Sequence, residues 1–152
     1  MSRINISRIR KRKGSRYPAP YAAPCAKRER KPLGNAAGLT DFGVNLLRLP
    51  SGTWSSQRHW HENEDEFIYV LEGEITLADD SGEHILTAGM CAGFKAGVSN
   101  GHCLKNLTDK AVTYLEVGTR CENERAHYSD IDMMALINKR QTLFVKKNGS
   151  AF

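Results

Sequence analysis

The chain has 152 residues, 40% hydrophobic and 26% charged, with a formal net charge of +5. That length and balance suit one globular domain with a real core, and no run of about 18 apolar residues is present to form a membrane-spanning helix. The four cysteines (Cys25, Cys91, Cys103, Cys121) show neither CxxC spacing nor a dense framework, so they read as reduced thiols of a cytoplasmic protein.

The charge is unevenly placed. Residues 1–31 hold eleven Lys/Arg against the single acid Glu29, whereas residues 32–152 hold eleven Lys/Arg against sixteen Asp/Glu. This predicts a basic, proline-containing arm over 1–31, a mildly acidic β domain over 32–120 and a C-terminal extension over 121–152 packed on it. The opening MSRINISRIRKRKGSR lacks the apolar core of a secretory signal, although an Arg-rich, acid-free start is also a feature of organelle transit peptides. A basic arm leaves contact with nucleic acid or an anionic surface open. Its basic run has no interleaved aromatic residues and no DNA-reading motif, so a solvated, partly disordered tail is the simpler expectation.

Tyr17–Pro24 carries three prolines in seven positions. Proline fixes φ and biases the residue before it toward extended geometry, so this segment is expected to run extended. Its two tyrosines imply that it packs on the domain or on a second subunit. Leu33–Gly38 reads as a turn-rich loop. From Phe42 onward the pattern is β, with strands expected at Phe42–Leu49, Glu66–Leu71, Glu74–Ala78, Glu83–Leu86, Met90–Phe94, His102–Leu107 and Ala111–Val117. Asp79-Asp80-Ser81-Gly82 is a hairpin signal. Asp130–Asn138 is expected as a short helix and Thr142–Val145 as a last strand. Many short strands with glycine-bearing turns predict an all-β antiparallel sandwich or barrel.

The densest chemistry lies in Gly52–Gly73, which reads GTWSSQRHWHENEDEFIYVLEG. His59 and His61 share one face of a strand, with Trp60 on the other. Glu66 follows the polar turn Glu62-Asn63-Glu64-Asp65 and opens an apolar run that can fold back on the first strand. Two imidazoles and a carboxylate so placed supply most of a coordination sphere for a divalent metal. By the same alternation Gln57, Ile68, Val70, Leu104 and Asn106 would face inward, while the faces of Arg48, Tyr114 and Glu116 are not fixed. His84 and His127 read as surface residues, Asp79 and Asp80 as turn formers, Glu62, Glu64 and Asp65 as a solvated turn, and Cys91 and Cys103 as small core or strand residues.

HWHENEDE with six residues and Gly73 resembles the first motif of the cupin superfamily. Gly89-Met90-Cys91-Ala92-Gly93-Phe94-Lys95-Ala96-Gly97, followed by His102-Cys103-Leu104-Lys105-Asn106, resembles the second. The YPAP, AAGLTDFGVN and YLEVGTR segments are similar to small, single-domain bacterial cupins of undefined activity. The resemblance implies a jelly-roll β-barrel, built as a double antiparallel β-sandwich, with an extended N-terminal arm and a short C-terminal helix and strand. It also implies a metal held by His59, His61, Glu66 and His102, and a homodimer formed through sheet packing. Lys95 stands where the second motif usually has proline, and four residues separate Gly97 from His102 where two are usual. Counting from Gly97 places Asn100 at the fourth ligand position, while counting back from Asn106 places His102 there. Imidazole is the better transition-metal ligand.

Three imidazoles and one carboxylate suit Fe, Mn, Ni, Cu or Zn and leave about two positions open on an octahedral ion. The expected function is a metal-binding cupin, either a small-molecule metalloenzyme with oxygenase- or isomerase-like chemistry or a non-catalytic ligand-binding or regulatory module. A storage protein with a degenerate site is disfavoured by the intact HxHx4E pattern.

Overall fold

The computed structural model describes residues 3–138 and 141–152. Thirteen strands account for most of the regular structure among them: β1 Arg12–Lys13, β2 Glu29–Pro32, β3 Phe42–Leu49, β4 His59–His61, β5 Glu66–Glu72, β6 Glu74–Asp79, β7 Gly82–Thr87, β8 Cys91–Phe94, β9 Cys103–Lys105, β10 Val112–Thr119, β11 Asn123–Tyr128, β12 Met134–Asn138 and β13 Thr142–Val145. They form three antiparallel sheets, ordered β1-β2-β3-β10-β5-β8, β13-β12-β11-β4 and β7-β6-β9. The architecture is a jelly-roll β-sandwich. The expected barrel is not closed, because the three hydrogen-bonded ladders stay separate instead of zipping into one continuous sheet. No helix among the described residues is long and apolar enough to cross a membrane.

Alternation along β5 and β10 sorts the side chains. Ile68, Val70, Val112 and Tyr114 are buried with Leu47, Leu49, Ile75, Leu77 and Leu104 in the main core, whereas Phe67, Tyr69 and Leu71 remain exposed on the outer face. Register pairs Glu116 with Asn45 on one side and Ile68 on the other. Gly73 makes the β5–β6 turn possible, with φ 86°. A Cβ there would also lie 3.1 Å from the Ala111 carbonyl oxygen, so a side chain would be both strained and crowded.

Among the described residues, the basic arm is tied into the sandwich rather than forming a free tail. Arg12–Lys13 pairs with β2, and β2 extends the large sheet through β3. The Tyr17–Pro24 segment, expected to run extended, instead folds into successive turns that lead into a 3-10 turn at Ala23–Cys25, because its N–H groups bond back to carbonyls three residues earlier. It packs on its own chain. The Tyr17 ring meets Tyr128 and Phe144 edge-on, with centroids 5.6 and 5.4 Å apart, and Tyr21 meets Phe152. These rings join Ala126, Met133 and Ala135 in a second apolar cluster. Burial of this aromatic area adds to the β1–β2–β3 pairing in holding the arm, since its basic residues alone would favour water.

Two other expectations are corrected. The short helix over Asp130–Asn138 is replaced by a bend and strand β12, paired on both edges by β11 and β13. The run MMALIN fits a helix as well as a strand locally, and sheet pairing on both sides decides it. Leu33–Ala36, expected as loop, forms one helical turn, α1. All four cysteines are free thiols; Cys91, exposed, opens strand β8 and Cys103, buried, opens β9, so both are strand residues as expected.

Candidate metal centre

Strand β4 presents His59 and His61 together, and β11 holds β4 in place by pairing Tyr128 with His59 and Ala126 with His61. His102 is brought to the same point by a reciprocal backbone bridge: its N–H donates to the His59 carbonyl (2.9 Å) and the His59 N–H donates back (3.1 Å). Gly101 permits this approach, because a Cβ there would collide with Ser129 Oγ at 2.0 Å. Glu66 enters at the start of β5.

The donor atoms converge. Those of His59, His61 and Glu66 all lie within 4.8 Å of one another. His59 Nε2 is 3.1 Å from His61 Nε2, and His61 Nε2 is 3.6 Å from Glu66 Oε2. His102 joins through Glu66, its Nε2 lying 2.9 Å from Oε2. Two donors bound side by side on an octahedral ion at ~2.1 Å would be ~3.0 Å apart, so these separations fit a divalent cation. The tautomers fit as well. His59 Nδ1–H donates to the Gln57 carbonyl (2.9 Å), which leaves Nε2 as a lone pair. His61 Nδ1 is buried without a hydrogen bond, 3.5 Å from Glu124 Oε1. Among the described residues, the arrangement has the donor chemistry and spacing of a two-imidazole, one-carboxylate group, with a third imidazole, His102, bonded to its carboxylate.

Electrostatics favour a neutral His59 and an ionised Glu66. Burial, reinforced by His61, lowers the His59 pKa to about 3, so its ring is neutral. Burial would raise Glu66, but the hydrogen bond from His102 and the surrounding imidazoles outweigh it and hold the carboxyl below its ordinary value. Aromatic rings wall the site: Phe94 stacks on His102 and Tyr128 on His59.

The two candidates for the fourth position separate clearly. Asn100 turns to the β6–β7 hairpin, accepting from the Asp80 N–H (2.8 Å) and donating to Asp79 (3.2 Å). His102 faces the cluster. The Asp79–Gly82 turn forms as expected, with Asp79 accepting from Ser81. His84 is exposed beside Ser81. His127 stacks on Trp60 and pairs with Glu62 at 2.7 Å, so this part of the acidic turn is engaged rather than merely solvated.

A cavity of about 150 Å³ opens beside the cluster, walled by His59, Glu66 and His102 together with Arg28, Tyr114 and Glu116. Ile68 and Leu104 supply apolar wall, as alternation predicts, and Arg48 faces outward in an ion pair with Glu29. Gln57 and Asn106 do not take the pocket roles expected of them. Gln57 donates to the Tyr21 carbonyl, and Asn106 ties the β9–β10 turn through Leu49 and Lys110. Burial and the Glu66 charge raise Glu116 from its ordinary value, although Arg30, Arg28 and a hydrogen bond from Asn45 oppose this. The Tyr114 hydroxyl is buried without a partner. A second cavity of about 380 Å³, walled in part by Arg12, Arg16, Arg28, Arg30, His59 and His61, lies between the β1–β2 hairpin and the C-terminal sheet. A third, of about 210 Å³, approaches His61, Glu66 and His102 from the Trp60 side.

Sequence reasoning missed Glu124, Arg28 and Arg30. Glu124 is 2% exposed and accepts from the backbone of Glu62 and Asn63 (2.8 and 2.9 Å). Arg28, just before β2, and Arg30 within it both reach the cavity wall, an i, i+2 signal hidden within a generally basic stretch.

Comparison with known proteins agrees with this architecture. Residues 45–118 match the cupin domain family model. A cupin-superfamily sugar phosphate isomerase from Silicibacter pomeroyi is 45% identical with a TM-score of 0.96, covering 99% of this chain and 96% of that one. A protein from Acidithiobacillus ferrooxidans, provisionally named a sugar phosphate isomerase, is 26% identical with a TM-score of 0.75, covering 84% and 81%. A predicted oxalate decarboxylase from Thermotoga maritima, 20% identical with a TM-score of 0.64 over 79% of this chain and all of that one, shares the fold alone. No curated protein sequence matches the chain. The converging His-His-Glu group, the jelly-roll sandwich and the near-complete match to a cupin at 45% identity show that this chain belongs to the cupin superfamily.

Proposed function

We propose that the protein is a metal-dependent isomerase acting on a sugar phosphate, with His59, His61, Glu66 and His102 holding the metal. The observation that carries this reading is the shared cavity: Glu116 and Tyr114 stand on the same wall as His59, Glu66 and His102. The name of the 45% identical cupin supports the reaction class. A divalent ion held there would supply a Lewis acid that polarises a carbonyl or hydroxyl oxygen. Glu116 is the candidate proton carrier. In its ionised form such a carboxyl can take a proton from the hydroxyl-bearing carbon next to a carbonyl and return it to the carbonyl carbon, while the hydroxyl proton passes to the former carbonyl oxygen, so the isomer keeps the same composition. Asn45 orients that carboxyl through its 2.9 Å hydrogen bond. Tyr114 offers an unpaired hydroxyl to a substrate oxygen, and Phe94 and Tyr128 exclude water around the imidazoles.

The test is a panel of aldose and ketose phosphates with metal-loaded protein in D2O. Interconversion with deuterium entering at one carbon is expected, and Glu116→Gln should lower kcat by about 10²–10⁴ with metal content unchanged. Tight ligand binding without turnover would instead support a non-catalytic binding module. A homodimer is part of the same proposal, supported by Phe67, Tyr69 and Leu71 lying exposed in a row on the outer face of β5. A monomer by light scattering would remove it.

A further inference from the structure

We infer that Ser15, Arg16, Arg28 and Arg30 form a phosphate subsite at the arm end of the cavity that reaches His59 and His61. This deepens the isomerase reading and rests on it for the identity of the substrate, but the site itself stands on separate observations. Two residues that line this cavity each carry a buried donor atom without a hydrogen-bond partner, Ser15 Oγ and Arg28 Nε. Buried donors are nearly always satisfied, so a pair of orphans on one cavity marks a place for an acceptor. The remaining Arg28 nitrogens are committed, Nη1 to the Ser55 carbonyl and Nη2 to the Gly14 carbonyl at 3.1 Å, and this fixes the guanidinium in place.

The charge on the cavity wall is of one sign. Arg12, Lys13, Arg16, Arg28 and Arg30 line it, and no Asp or Glu does among the described residues. Arg16 donates one bond to Thr142 Oγ1 (3.0 Å). The opposite wall is apolar, formed by Ala126, Ala135, Ile137 and Phe144, which strengthens a charge-assisted hydrogen bond relative to open water. Arginine forks and a hydroxyl donor are the groups that recognise a phosphate. The same cavity includes His59 and His61, so a phosphate bound among the arginines leaves the rest of a small substrate directed toward the metal centre. The basic arm thereby acquires a role within the active site.

The test uses full-length, Mn(II)-loaded protein titrated with inorganic phosphate, followed by calorimetry and by ³¹P line broadening, with acetate as the competing anion. Saturable phosphate binding that acetate does not match is expected. Arg28→Met should weaken it at least about tenfold. Ser15→Ala and Arg16→Met should each weaken it severalfold, and Lys146→Met should leave it unchanged. Arg16 is exposed, so its variant keeps the test valid should Arg28→Met fail to fold. Equal phosphate affinity across the variants, or none in the wild type, overturns the subsite even if sugar phosphates are isomerised. Loss of phosphate binding in Arg28→Met and Arg16→Met without any isomerisation keeps the subsite and removes the isomerase reading instead.

Discussion

The Glu124 carboxylate lies 3.5 Å from Nδ1 of His61, inside the protein and on the side of the ring away from the converging Nε2 atoms. Glu124 is itself fixed by the backbone N–H groups of Glu62 and Asn63. A carboxylate behind a ligating imidazole sets its tautomer and raises its basicity, and losing such a partner typically costs 10- to 100-fold in metal affinity. Glu124→Gln is therefore expected to lower metal affinity by about tenfold or more while the far-UV spectrum stays unchanged. Competition against a chromophoric chelator measures this, and unaltered affinity would reduce Glu124 to a turn-organising role.

His102 and Asn100 make a sharp pair for a second measurement. His102 contacts Glu66 at 2.9 Å, whereas Asn100 is occupied by Asp79 and the Asp80 N–H. Metal content of purified protein should fall in His59→Ala, Glu66→Ala and His102→Ala and persist in Asn100→Ala. Full metal content in His59→Ala would remove the site assignment altogether.

Alkaline pH should weaken the fold within a defined window. Burial raises the Cys25 and Cys103 thiols from 9.0 to about 11 each, and the Tyr17 hydroxyl from 10.0 to about 12. In each case the folded protein prefers the neutral form. The associated stability is complete below the unfolded values and is lost as pH rises from about 9 to 11 for the thiols and from about 10 to 12 for Tyr17. Two units correspond to about 2–3 kcal/mol per thiol. Urea midpoints should be level, as far as these groups are concerned, up to pH 9 and fall above it. Cys103→Ala should flatten part of that fall.

Tyr17 anchors the arm through Tyr128 and Phe144. Tyr17→Ala should destabilise the protein by roughly 2 kcal/mol from lost apolar burial and expose the segment around Arg12–Arg16 to trypsin. Unchanged cleavage would show that the β1–β2 pairing alone holds the arm.

The sequence by itself determined the β character, the β3 boundaries Phe42–Leu49 and the β13 boundaries Thr142–Val145, and the inward alternation of Glu66, Ile68 and Val70. It also supplied the cluster His59-His61-Glu66, because a two-residue period and a short turn act over distances the local chain controls. Only the tertiary structure decided the rest. Whether His102 or Asn100 meets Glu66 depends on a backbone bridge across 43 residues, closed where Gly101 packs on Ser129. The 130–138 segment is a strand because β11 and β13 pair with it, which its own composition does not require. The basic arm joins the sandwich because its own Tyr17 and Tyr21 pack on the distant rings of Tyr128, Phe144 and Phe152, and this accompanies the placing of Arg28 and Arg30 on the cavity wall. Local periodicity selects the face on which a side chain lies, whereas long-range packing selects which faces meet.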